Sequence, residues 1–224
     1  MPRLTPPMAE RRARILEAAR RGIADVGYDG LTLRALAREA QVTVPTIYNL
    51  VGNKDAVLVA AVADQTERFV RSIGAAPDDV LGIVDASARE LLRAPRYYRA
   101  LLRLLADSEE AGEARRMVTA ALQGQLRGAV EALAAEKQLE AWVEVGALSE
   151  ELLAVVWQAS DQWARGRLRS AAFPARQRFG VALLLAGAAR GRARSRFKDV
   201  ARANQSAPAP APRAAARLAQ GARA

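Results

Sequence analysis

The spacing of apolar residues restricts this chain more than any other feature. From about residue 9 to 190 they recur three or four positions apart, and no segment alternates apolar and polar over a convincing length. The pattern argues against a sheet-based core and predicts an all-α fold of nine helices, at about 9–26, 33–40, 44–50, 54–72, 79–93, 95–106, 109–139, 149–165 and 174–190. Local punctuation agrees. Thr32, Thr43, Asn53 and Ser149 stand where N-caps are needed. Pro45, Pro95 and Pro174 fall in first turns, where a missing N–H costs nothing. Gly27 and Gly166 follow helix ends. Ile15, Ala19, Ile23 and Val26 form the inner stripe of the first helix, and Val57, Leu58, Ala61, Val62 and Phe69 that of the fourth.

Composition narrows the chemistry. The 224 residues include no cysteine and no histidine. Disulfides, thiolate metal sites, Ser-His and Cys-His nucleophile pairs and the usual zinc ligands are therefore excluded, and no cofactor or metal is implied. No run of eighteen apolar residues occurs, and the start lacks the apolar core of a secretory signal, so a cytoplasmic protein is expected. The net charge of +10 is localised. Residues 66–189 carry sixteen basic and sixteen acidic side chains, whereas residues 190–224 carry nine basic and one acidic. Overall basicity thus says little about the folded part. The last stretch, rich in Ala, Arg and Pro, is expected to be disordered. Gly74-Ala75-Ala76-Pro77 reads as a break. Three regions follow: 1–65, 66–190 and a tail at 191–224.

Residues 32–50 meet the requirements of a helix-turn-helix, two short helices joined by a tight turn with the second free to lie in a major groove. Leu33, Leu36, Ala37 and Ala40 supply an inner face. Val42 plugs the turn, and Ile47 and Leu50 anchor the second helix from below. Thr43, Val44, Pro45, Thr46, Tyr48 and Asn49 are left on the outer side.

GYDGLTLRALAREAQVTVPTIYNLVGNKDAVL, residues 27–58, resembles the signature of the TetR family of bacterial repressors. The matching positions are Gly27, Tyr28, Thr32, Leu36, Ala37, Val42, Thr46, Ile47, Tyr48, Lys54 and Leu58. The resemblance covers about residues 9–60. It departs at Gln41, where the family usually has a turn glycine, and at Val51, where an aromatic is common. It implies a double-stranded, near-palindromic DNA operator as partner. By resemblance, Thr32, Thr46, Tyr48 and Lys54 contact phosphates, positioning the protein without reading sequence. Arg34, Val44, Pro45 and Thr43 reach base edges, where Arg pairs with guanine and Val or Pro touches a thymine methyl. Arg3, Arg11, Arg12 and Arg14 read either as a phosphate-tracking arm or as a solvated basic face.

The family's second domain binds a ligand and dimerises through its last two long helices. Residues 181–187 here are apolar on nearly all sides, so a homodimer is expected, with Val156, Ser160, Trp163, Val181, Leu184 and Leu185 at the interface. An unidentified apolar or aromatic small molecule is expected between helices five to eight, against Tyr98, Leu102, Met117, Leu122 and Trp157. Gly124 and Gly128 leave room there for a close neighbour or a ligand. The implied function is a homodimeric repressor released from DNA by its ligand. An activator or a ligand-independent regulator would carry the same motif, and a small-molecule-binding helical enzyme is the remote alternative.

Overall fold

The computed structural model describes residues 5–73, 79–109 and 111–205. Arg3, the break expected at residues 74–77, the side chain of Phe69 and the chain after Gln205 lie outside them. Among the described residues the fold is all helical: α1 (Pro6–Gly30), α2 (Leu33–Glu39), α3 (Val44–Leu50), α4 (Lys54–Ile73), α5 (Val80–Arg93), α6 (Pro95–Asp107), α7 (Gly112–Ala135), α8 (Val145–Ala164), α9 (Phe173–Ala188) and α10 (Gly191–Asn204). That is one helix more than the nine expected.

Two apolar clusters hold these helices. The first begins under α2 and α3 with Leu36, Ala37 and Ile47, runs along α1 through Ile15, Ala19 and Ile23, and continues into Tyr97, Leu101 and Leu105 of α6 and Trp163 of α8. The second joins α5, α7, α8, α9 and α10 around Val84, Leu126, Leu152, Val181 and Phe197. The helix-turn-helix is thus built onto the larger helical body through α1. Gly27 breaks α1 at φ 74°, a left-handed backbone that favours glycine. Val26, expected inside, sits on the last turn before that break and is 60% exposed.

The tail expectation fails at its start. Residues 191–204 form α10, with Phe197 fully buried and Ala193 and Ala201 beside it. Two ion pairs fasten its outer edge, Arg194 to Glu140 at 2.7 Å and Arg196 to Asp79 at 2.6 Å. An antiparallel bridge between Leu139 and Ala189 ties the α7–α8 loop to the turn before α10. The single large apolar residue of this stretch, Phe197, meets a ready-made apolar wall that composition alone does not reveal.

Two other boundaries move. α7 stops at Ala135, not 139, because Lys137 takes φ 56° and the N–H groups of Lys137 and Gln138 turn back to the carbonyls of Ala134 and Leu133. This is a Schellman ending with lysine where glycine is usual. α8 begins at Val145, so Ser149 is not its N-cap; the hydroxyl lies inside the helix and donates to the Val145 carbonyl.

The expected dimer set also needs correction. Val156, Ser160, Trp163, Val181 and Leu185 are at most 3% exposed in the isolated chain. They belong to its own core because α8 and α9 turn these faces toward α5, α6, α7 and α10. Only Leu184 is half-buried. The outward stripes are Glu151, Ala154 and Gln158 on α8 and Leu183 and Gly187 on α9.

Phe197→Ala is expected to destabilise the fold by about 3–5 kcal/mol, the usual cost of emptying a buried aromatic site. Truncation after Arg190 should lower the urea midpoint as well. A truncated chain as stable as the full one would show that α10 adds nothing to the core.

Candidate nucleic-acid interface

The recognition surface starts from two capped helices. Thr32 Oγ1 accepts the Ala35 N–H at 3.1 Å and starts α2. Thr43 Oγ1 accepts the Thr46 N–H at 3.3 Å and starts α3. Between them α2 closes with another Schellman ending. Gln41 and Val42 return their N–H groups to the carbonyls of Arg38 and Ala37, and Gln41 sits at φ 54°. The departure from the usual turn glycine therefore leaves the turn geometry intact at the expense of a left-handed glutamine. Arg14 Nε donates to the Ala40 carbonyl at 3.1 Å, so this arginine helps terminate α2. Arg21 pairs with Glu39 at 2.7 Å and holds the same end against α1.

This scaffold aims α3 outward. Ile47 is fully buried, while Leu50 and Val51 pack half-buried against the first core cluster. Thr43, Pro45, Tyr48 and Asn49 are exposed, and Val44 and Thr46 half-exposed. Tyr48 shows 55% of its surface, an unusual amount for an aromatic. The hydroxyls of Thr43 and Thr46 lie 2.8 Å apart. One donates to the other, which leaves at least one hydroxyl hydrogen for an outside acceptor.

Lys54 opens α4 beside this face. Asn53 Oδ1 caps the helix by accepting the Ala56 N–H at 2.9 Å. The Lys54 ammonium lies 4.2 Å from the centre of the Tyr28 ring and reaches the Asp29 carbonyl at 3.4 Å. The Tyr28 hydroxyl in turn donates to Asp55. A ring face and a carbonyl thus hold the cation at the amino end of a helix whose first N–H groups have no helical partner. Arg34, on the first turn of α2, is exposed.

A second feature lies behind the interface. A cavity of about 80 Å³ opens between α4, α5, α6, α7 and α8. Tyr98, Leu102, Leu122 and Trp157 line it, as expected. Met117 does not; it borders a separate groove with Ala63, Val70 and Ala121. Gly124 and Gly128 have nothing within 4 Å of where a Cβ would stand, so among the described residues no other element approaches them closely. At one end of the cavity the Tyr98 hydroxyl donates to Glu90 Oε1 at 2.7 Å. Gln65 Nε2 spans the same Glu90 oxygen at 2.9 Å and the Tyr98 oxygen at 2.6 Å. Burial, then the Glu90 hydrogen bond and charge, push the Tyr98 phenol well above its ordinary pKa, which keeps it a neutral donor.

Residues 15–61 match the family described as bacterial regulatory proteins, tetR family. The segment holds α2, α3 and the start of α4, the elements that carry the outward helix. The helix-turn-helix segment is thus similar to that of the TetR family. The chain is 32% identical over 91 residues to the HTH-type transcriptional repressor Rv1474c of Mycobacterium tuberculosis, a match that takes in 41% of this chain and 46% of that protein. The chain therefore spans about half the length of this curated relative. Solved structures with the same fold include SmeT, the repressor of the Stenotrophomonas maltophilia multidrug efflux pump SmeDEF, at 18% identity, TM-score 0.67, covering 81% of this chain and 92% of SmeT. The SmeT–triclosan complex is similar at 18% identity, TM-score 0.65, covering 82% and 93%.

The matched family is one of bacterial regulatory proteins. In this chain the cavity residues missed from sequence are chiefly Gln65 and Glu90. The available signal was a polar residue on a buried face: Gln65 follows Ala61 by one turn of α4, and Glu90 follows Ser87 on the inner side of α5.

Gln41→Gly is expected to raise stability by about 0.5–1 kcal/mol, since glycine takes the left-handed turn without steric cost. Gln41→Val should lower it by about 1–2 kcal/mol. Urea unfolding of the two variants provides the measurement, and equal stability would mean that the turn carries no backbone strain.

Proposed function

We propose that this TetR-family chain is a sequence-specific DNA-binding transcriptional regulator, acting as a homodimeric repressor that a small ligand releases from a near-palindromic operator. The observation behind it is the outward α3, with Ile47 buried beneath Tyr48, Thr43 and Pro45 exposed above, and Lys54 held alongside. A solitary monomeric helix bundle has no use for an exposed tyrosine on a short capped helix. A phosphate backbone does.

Residues up to about 65 form the DNA-binding unit and those from 66 onward the ligand-binding and dimerisation unit, with α10 added to it. Tyr48 and the hydroxyls of Thr32 and Thr46 donate to phosphate oxygens, and Lys54 adds its charge to the amino end of α4. Arg34, Val44, Pro45 and Thr43 meet base edges, with Asn49 on the same outer face. Two copies place their α3 helices in successive major grooves, roughly 34–36 Å apart.

The dimer forms through the outer stripes of α8 and α9, centred on Leu183. At 55% exposure this is a large apolar side chain without cover in the single chain. The cavity behind α4 receives the ligand. A ligand that binds better to a state with the wrong spacing lowers DNA affinity by linkage. The names of similar proteins support both halves of this reading: one is a transcriptional repressor, and another was solved as a complex with triclosan.

Footprinting of the DNA beside its own gene would locate an operator for quantitative work. On that duplex Lys54→Ala should weaken binding to every sequence and reduce the salt slope by about 1, whereas Tyr48→Ala should weaken binding to every sequence with the slope nearly unchanged. Arg34→Ala should instead cost about 1–3 kcal/mol at one base pair per half-site. An unchanged salt slope in Lys54→Ala, or unchanged affinity in Tyr48→Ala, would contradict phosphate contact. Leu183→Arg should convert the dimer to a folded monomer in sedimentation, and a persistent dimer would move the interface elsewhere.

A further inference from the structure

The cavity behind α4 has an electrostatic sign. Its wall is almost entirely apolar, with Leu101, Leu105, Val118 and Trp157 among its members. Among the described residues no arginine or lysine lines it. Glu90 is the one carboxylate in the lining among the described residues, and Tyr98 stays neutral. The Glu90 side chain is 17% exposed, and its ion-pair partner among the described residues is Arg93, at 3.3 Å. Arg93 is 78% exposed, so water screens that pair and it offsets little of the charge. The donors that face Glu90 from other helices, Gln65 of α4 and Tyr98 of α6, are both neutral.

The position of this carboxylate also decides how a ligand would lie. Gln65, Glu90 and Tyr98 line two cavities at once. On their other side is a surface groove of about 450 Å³ at the junction of α1 and α6. The groove's arginines near the triad are largely committed: Arg20 pairs with Glu17 at 2.5 Å and Asp64 at 2.7 Å, and Arg21 pairs with Glu39 at 2.7 Å. Arg96 is exposed. The polar triad is thus a partition between an apolar chamber and a wet groove. A charged group placed at it keeps part of its hydration, which lowers the desolvation cost that burial in the chamber would impose.

We propose that this chamber takes an organic cation with an apolar or aromatic body, an amine or quaternary ammonium, with Glu90 as counter-ion and the body packed against Leu102, Leu122 and Trp157. The proposal rests on the reading of the cavity as the ligand site and adds the ligand's charge. An ammonium group reaches Glu90 by replacing the Gln65 amide on Oε1 or by binding Oε2 from the groove side. A carboxylate ligand of the same shape meets like charge and finds no cation in the lining, so fatty-acid-like molecules are rejected.

Calorimetric titration of the full chain with phenylbutylammonium, phenylbutanol and phenylbutanoate near neutral pH tests this. The three probes share one body and differ in charge. The ammonium should bind about tenfold or more tighter than the alcohol, as a charge-assisted hydrogen bond provides, and the carboxylate should bind weakest. Glu90→Gln should bring the ammonium to within about twofold of the alcohol while alcohol binding persists. Glu90→Asp keeps the charge and should keep the preference, and it carries the test if the glutamine variant fails to fold. Equal affinity for ammonium and alcohol, tighter binding of the carboxylate, or a preference that survives in a folded Glu90→Gln protein overturns the assignment of charge while leaving the cavity as a ligand site. Binding of none of the three removes the cavity reading and this proposal with it.

Discussion

The burial of α1 between two groups of helices is the interaction on which the rest of the molecule depends. Ile15, Leu16, Ala18, Ala19 and Ile23 are all at most 2% exposed. One side of α1 forms the floor of the helix-turn-helix, and another packs on α6, so Ile47 under the recognition helix and Trp163 in α8 share one apolar cluster. Close-packed interiors do not deform smoothly. α6 and the support under α3 thus belong to one packed unit, and the ion pair between Arg20 of α1 and Asp64 of α4 reinforces the joint. The same junction borders the groove behind the Gln65–Glu90–Tyr98 partition, which brings the polar end of the cavity to the seam between the two halves.

Charge is distributed against first impressions. The candidate DNA surface has few cations, principally Arg34 and Lys54, and otherwise presents hydroxyls, a phenol and helix amino ends. Much of the basic excess sits after residue 189, and part of it is structural: Arg194 and Arg196 fasten α10 to neighbouring elements. Arg14, which reads equally as a phosphate-tracking residue, spends its Nε hydrogen on a helix carbonyl. Net charge is thus a poor guide here to where an anion would bind.

Legibility followed the range of the interactions involved. The caps at Thr32, Thr43 and Asn53 and the prolines in first turns were readable because each acts within four residues of itself. The end of α7 was not, since Lys137 adopts a conformation whose usual sequence mark is glycine. Ser149 failed as a cap because the same hydroxyl can start a helix or sit inside one and donate backward, and neighbouring helices decided between the two. The cavity was half legible: its apolar lining was expected from the family resemblance, whereas the joint role of Gln65 and Glu90 emerged when three helices brought them to one oxygen.

The chain's own residues determined the helical class, the two capped helices of the reading head and the left-handed turn at Gln41, because hydrogen bonds and backbone sterics at those places are local. Packing partners far away in sequence determined the fate of residues 191–204 and which face of α8 and α9 remains outside. A helix that is apolar all round, like the stretch from Val181 to Gly187, states that it must be covered but not by what. Only the folded chain decided that α5 and α10 cover most of it and leave Leu183 to solvent.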